Sequence, residues 1–144
     1  MPPQNAPTLN PTRYAYNVYE DRCPTRQVLE RLADKWALLI LDRLKDGPMR
    51  FNSLRREIKQ ITQKVLTQTL RRLERDGFIA REVQVTQVLM VEYSLTPLGE
   101  TLTDTVSALA HWAETHMDAV LESQAAYDRA QQQLSEAASA IHRL

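Results

Sequence analysis

Thr62-Gln63-Lys64-Val65-Leu66-Thr67-Gln68-Thr69-Leu70-Arg71-Arg72-Leu73-Glu74-Arg75-Asp76-Gly77 is the stretch whose reading decides the fold. Thr62 offers a hydroxyl for an N-cap and Gly77 a residue that tolerates a left-handed C-terminal turn, which together predict a helix over Gln63 to Arg75. Projected at about 100° per residue, Leu66, Leu70 and Leu73 fall within an arc of roughly 60°. Lys64, Thr67, Gln68, Arg71 and Arg75 occupy an arc of about 100° on the opposite side, and that arc holds no carboxylate. One side is built to anchor the helix in a core. The other presents amide, hydroxyl, ammonium and guanidinium groups, the chemistry that reads base edges and phosphates in a DNA major groove.

Working outward, Lys59-Gln60-Ile61 forms a turn after a short helix from Asn52 to about Ile58. Upstream, Asp34 is an expected N-cap for a very apolar helix from Lys35 to about Lys45, and Asp46-Gly47-Pro48 ends it. Cys23-Pro24 opens another helix, with Val28, Leu29 and Leu32 on one face. Downstream, Phe78 to Val85 and Val88 to Leu95 are rich in β-branched residues and predict a hairpin across Thr86-Gln87. Thr96-Pro97 is a cap-plus-first-turn signature that starts a long helix, with apolar Leu98, Leu102, Val106, Leu109, Trp112 or Ala113, and Val120 recurring every three, four or seven residues. The order helix, helix–turn–helix, hairpin, helix predicts a mainly α winged helix-turn-helix domain with a small β-hairpin. Trp36 and Trp112 lie on apolar faces and are expected to pack in cores.

Composition sets the outer limits. The chain has 144 residues, 18 Lys+Arg against 18 Asp+Glu, 43% hydrophobic and 25% charged, enough for one ordinary core. The longest apolar run, Trp36 to Leu41, is six residues against the roughly 18–20 that span a bilayer, so no membrane association is expected. No signal-peptide pattern opens the chain, and one cysteine allows no internal disulfide; a cytoplasmic location is expected. The zero net charge conceals a partition. Arg50 to Glu82 carries nine basic and four acidic residues, whereas Gly99 to Leu144 carries two basic and seven acidic. Attraction to phosphate acts over about a Debye length, so the basic middle matters more than the total.

The residues together closely resemble the HxlR family of bacterial winged helix regulators. The resemblance rests on Cys23-Pro24, Lys35-Trp36, Ile40-Leu41, Gly47-Pro48, Arg50-Phe51-Asn52, Leu54-Arg55-Arg56, Ile61 to Lys64, Leu66-Thr67, Leu70, Leu73-Glu74, Asp76-Gly77, Val91 to Thr96 and Leu98-Gly99, and it spans Cys23 to His116. It implies a homodimeric transcription factor, bacterial and nucleoid-associated, with N- and C-terminal dimerisation helices and with Gln63 to Arg75 in the major groove of double-stranded operator DNA. Two departures stand out. Ala33-Asp34 occupies a joint where the family usually has glycine, and the wing Val85-Thr86-Gln87-Val88-Leu89 lacks both the usual prolines and any basic residue. Arg81, Arg55 and Arg56 are therefore the better candidates for clamping the DNA backbone.

The expected DNA-binding residues are Arg50, Ser53, Arg55, Arg56, Thr62, Gln63, Lys64, Thr67, Gln68, Arg71 and Arg75. Tyr16, Tyr19, Leu102, Val106, Leu109, Trp112 and Val120 are the expected dimerisation residues. By domain, residues 1–22 are expected to be a flexible, partly docked arm, 23–118 the winged helix domain with its dimer helix, and 119–144 a helical or disordered extension. Cys23, at a helix start and flanked by Arg22 and Arg26, is expected to have a lowered pKa and hence nucleophilic thiolate character. Its position matches the N-terminal cysteine through which several HxlR-type regulators sense small oxidants, quinones or aldehydes; a purely structural cysteine in a ligand-responsive regulator is the alternative. A winged helix used only for protein docking is a further alternative. No cofactor, metal or enzymatic activity is expected: His111 and His116 stand about 140° apart on a helix, His142 is remote in sequence, and no nucleophile–base pair or phosphate loop is evident.

Overall fold

The computed structural model describes residues 16–85 and 87–144. Residues 1–15 of the expected arm, and Thr86 of the expected hairpin turn, lie outside the described residues. In chain order the elements are α1 (Pro24–Leu32), α2 (Lys35–Leu44), β1 (Met49–Arg50), α3 (Phe51–Glu57), α4 (Gln63–Arg75), β2 (Ile79–Val85), β3 (Leu89–Leu95), α5 (Pro97–Glu100) and α6 (Thr103–His142). The fold is a winged helix-turn-helix. The chain divides into two compact units, one ending at Thr103 and the other running from Asp104 to Leu144.

The first unit is organised around α4. Leu66, Leu70 and Leu73 are buried, as are Ile40, Leu41 and Leu44 of α2, against which α4 packs. Full burial of each such side chain stabilises by about 1.5–3 kcal/mol. Both ends of α4 are closed by hydrogen bonds. Val65 N–H donates to the Thr62 hydroxyl at 3.2 Å. At the other end Phe78 N–H donates to the Leu73 carbonyl and Gly77 N–H to that of Glu74, each at 3.0 Å. This Schellman turn needs Gly77 at φ +83°, a conformation glycine adopts without steric cost. Asp76, the C-cap residue, accepts two hydrogen bonds from the Arg31 guanidinium, at 2.6 and 2.9 Å, tying α4 to the last turn of α1.

The caps place α2 as its sequence predicts: Trp36 N–H donates to the Asp34 carboxylate at 2.9 Å. The sheet is larger than the expected hairpin. β1, only two residues long, pairs antiparallel with β3 through Met49 opposite Tyr93 and Arg50 opposite Glu92, giving the order β1-β3-β2. A two-residue strand has no alternation to betray it. The helix expected to run on from Pro97 is interrupted as well. Thr101 N–H bonds to Leu98 O and Leu102 N–H to Gly99 O, tight three-residue turns that separate α5 from α6. The expected core position of Trp112 is not observed: it is half exposed and stacks on His116 at 4.8 Å, while Trp36 is half-buried.

One joint holds the start of α5 to the end of α4. The Thr96 hydroxyl donates to the Gly77 carbonyl at 2.5 Å and accepts from Gly99 N–H at 3.0 Å. Thr96 N–H in turn donates to Phe78 O at 3.1 Å. Gly99 is buried so close to the Phe78 backbone that a Cβ there would overlap its carbonyl oxygen. Gly99→Ala is therefore expected to lower stability by about 3 kcal/mol, since backbone rather than a flexible side chain must move. Urea unfolding should show the midpoint falling with an unchanged slope, and a midpoint at the wild-type value would contradict this packing.

Candidate nucleic-acid interface

With its leucines buried, α4 turns Gln63, Lys64, Gln68, Arg71 and Arg75 to solvent. The centre of that face is basic: Lys64, Arg71 and Arg75 cluster within about 40° of one another on projection. Thr67 lies on the same side, half exposed, but its hydroxyl donates to the Gln63 carbonyl at 2.8 Å. What Thr67 offers outward is its methyl and the remaining lone pair. Thr62 is exposed, with its hydroxyl committed to the N-cap. These two side chains serve the helix first, which limits them as donors to a ligand.

The expected face omits one group. Glu74 is exposed and borders the same groove as Gln63, Thr67 and Arg71 of α4, Arg81 of β2 and Tyr93 of β3, with a volume of about 430 Å³. Residue 74 projects only about 20° from residue 63, so including Gln63 in the face brings the carboxylate to its edge. It disfavours phosphate there and leaves the anion-accepting surface to the Arg71 side.

The end of β1 and α3 contribute a second set. Arg50, Arg55 and Arg56 are exposed and form no ion pair among the described residues. Arg56 Nη2 donates weakly to the Ser53 hydroxyl at 3.4 Å. Arg50, Ser53 and Arg56 line one groove, of about 420 Å³, beside Glu57 and Glu92. Glu57 is paired with Arg43 of α2, which spends its charge internally. The structure thus gathers the expected residues into two neighbouring basic surfaces of one unit, on α3 and α4. The wing differs in kind: Val83, Val85, Val88 and Leu89 are all exposed, an apolar ridge with no cation.

Cys23 is half-buried at the N-cap of α1. Its thiol pKa is lowered, and the main cause is the Thr25 hydroxyl, whose Oγ1 lies 3.3 Å from Sγ and donates to the thiolate once it forms. Partial desolvation opposes this; backbone groups of Thr25 and Asn17 add to it, and Glu20 works against it. The expected lowering is present, but a hydroxyl two residues away produces it rather than Arg22 or Arg26. No group of three or more His, Cys, Asp or Glu is assembled for a metal among the described residues, and no helix is long and apolar enough to cross a membrane.

Of the expected dimerisation residues, Tyr16 and Tyr19 are exposed on the segment preceding α1. Leu102 and Val120 are half-buried and Val106 is buried, while Leu109 and Trp112 are about half exposed.

The model of the HxlR-like helix-turn-helix family matches residues 31–121. The uncharacterized HTH-type transcriptional regulator YtfH of Escherichia coli K12 is 44% identical over 105 residues, covering 73% of this chain and 83% of YtfH. The solved structure of ytfH from Salmonella typhimurium superposes with a TM-score of 0.72 at 43% identity, covering 76% of this chain and 97% of that one. The redox regulator HypR in its reduced form gives a TM-score of 0.63 at 42% identity over 69% of this chain and 98% of HypR.

The geometry at Cys23 makes a prediction about its titration. A lowered pKa means that thiolate, the nucleophile, persists to lower pH than in an ordinary thiol. The rate of alkylation by iodoacetamide should accordingly rise with pH through a midpoint below that of a free cysteine. Thr25→Val removes the hydroxyl that stabilises the anion and should move the midpoint upward, slowing alkylation at neutral pH. Identical profiles for the two proteins would show that Thr25 does not act on the thiol.

Proposed function

Because the chain belongs to the HxlR-like helix-turn-helix family, we propose that it is a homodimeric transcriptional regulator that reads a pseudo-palindromic operator through α4. The observation that carries this reading is the division of α4 into a buried leucine row and an outward face of Gln63, Lys64, Gln68, Arg71 and Arg75. In a major groove Arg71 suits guanine, Gln68 and Gln63 suit adenine, and Lys64 and Arg75 suit phosphate. Arg50 of β1, Arg55 and Arg56 of α3, and Arg81 of β2 hold the flanking backbone and so set register rather than sequence. Two protomers place two such helices on half-sites about 34–36 Å apart.

The second part of the proposal is that Cys23 is the sensor. Its partial exposure and its thiolate-favouring contact with Thr25 support this. So does the similarity to HypR, a redox regulator solved in both reduced and oxidised forms. One thiol per chain restricts the chemistry. An oxidant can take two electrons and two protons from a pair of thiols to give a disulfide, between subunits or with a small thiol, whereas a quinone or aldehyde adds to the sulfur directly. Modification at the N-cap of α1 acts on α4 through α1, whose Arg31 grips Asp76.

Gel-shift titration on DNA selected from a random pool tests both parts. Arg71→Ala is expected to weaken binding to the selected site by about 1–3 kcal/mol and to relax preference at one base position. Arg55→Ala should weaken binding evenly across sequences and reduce its salt dependence. Absence of binding even at low salt would favour a protein-docking role instead. Treatment with an oxidant should change the affinity of wild type and leave Cys23→Ser unaffected; equal responses would remove Cys23 as the sensor.

A further inference from the structure

We infer that the C-terminal part of α6, beyond Leu121, is one strand of a two-stranded coiled coil whose other strand is α6 of a second copy. This rests on the homodimer reading and extends it past the segment matched by the family model, which ends at residue 121. Val106, Ala113, Val120, Tyr127, Leu134 and Ile141 recur at every seventh position along α6. A straight helix packed on a globular surface drifts by about 20° per seven residues, so a strict seven-residue apolar row over this length is the pattern of helices wound around each other. Tyr127, Leu134 and Ile141 are 65, 64 and 72% exposed, so this row has no partner among the described residues.

The charges obey the same repeat. With those six residues as position a of a heptad, all seven Asp, Glu and Arg side chains of α6, from Asp104 to Glu136, fall at b, c or f, the positions facing away from a seam. None falls at a, d, e or g. The large apolar side chains Leu109, Trp112 and Met117 also fall on the seam side, at d, g and e; Leu121, at b, is the exception. Ala130 and Ala137 at d permit close approach between backbones. The e and g positions are where charges select a different partner or repel a like one. Here they are uncharged, chiefly Ala and Gln, so nothing penalises pairing of this face with its own copy. Every residue from Leu121 to His142 is exposed yet helical. Most helical stability in proteins comes from packing of an apolar face rather than from propensity, and burial of the seam by a second copy supplies that packing.

Sedimentation equilibrium of the full chain tests the assignment. Tyr127→Glu combined with Leu134→Glu puts charge into the seam of both strands and should raise the dimer dissociation constant by about tenfold or more. Ala125→Glu combined with Gln132→Glu adds the same charge at f and should change it by less than about twofold. A dimer that is equally stable in wild type and in both double variants would overturn the coiled coil while leaving the homodimer reading intact. A monomeric wild type at tens of micromolar would overturn both. Equal weakening by both double variants would also overturn it, because added charge rather than its place on the helix would then be responsible.

Discussion

Burial of Leu66, Leu70 and Leu73 fixes the rotation of α4 about its own axis, and through it the direction of every other side chain on that helix. At about 100° per residue, three buried positions leave no freedom for the rest. α2 supplies the opposing surface with Ile40, Leu41 and Leu44. The position of α4 along its axis is set by different physics: a hydroxyl cap at Thr62 and a glycine-dependent turn at Gly77. The two-pronged Arg31–Asp76 pair then fixes its far end to α1. Hydrophobic burial, backbone hydrogen bonding and a charge pair each remove one degree of freedom, and the polar side chains on the outer face inherit a defined orientation without spending contacts of their own.

Both ends of α4 and α2 are readable in the sequence because each is marked by a local chemical signal, Thr62 and Gly77 for one and Asp34 and Gly47-Pro48 for the other. β1 is not, since Met49-Arg50 becomes a strand only by pairing with Tyr93 and Glu92, more than forty residues away. The break between α5 and α6 is hidden for a similar reason: Pro97 announces a helix start, but nothing in Thr101-Leu102 resembles a stop. The interruption shows only in the hydrogen bonds, where Thr101 and Leu102 bond three residues back instead of four. The extension after Val120 reads as weakly apolar because it carries few large apolar side chains among Ala, Gln and Ser, and averaging over a window dilutes the one that recurs in each heptad.

At the candidate site the residue types are readable and their commitments are not. Thr62 and Thr67 look like donors for a ligand, yet one hydroxyl caps the helix and the other bonds back to it. Glu74 escapes a projection centred on the cations and becomes visible once the groove bordered by Gln63 and Arg81 is seen. For Cys23 the direction of the pKa shift follows from its place at a helix start. The cause does not: the neutral Thr25 hydroxyl, rather than the formal charges of Arg22 and Arg26, is the main one.

The joint at Thr96 has a consequence for how this chain can diverge. One side chain donates to Gly77, accepts from Gly99, and through its β-branch restricts its own rotamer so that both bonds form together. Serine keeps the oxygen but loses the restriction, and valine keeps the shape but strands a carbonyl and an amide. No single substitution preserves all three properties. Position 96 is therefore held by what its side chain does, whereas 77 and 99 enter the joint only through backbone groups and keep their glycines for separate reasons, the left-handed turn at Gly77 and the Phe78 carbonyl beside Gly99.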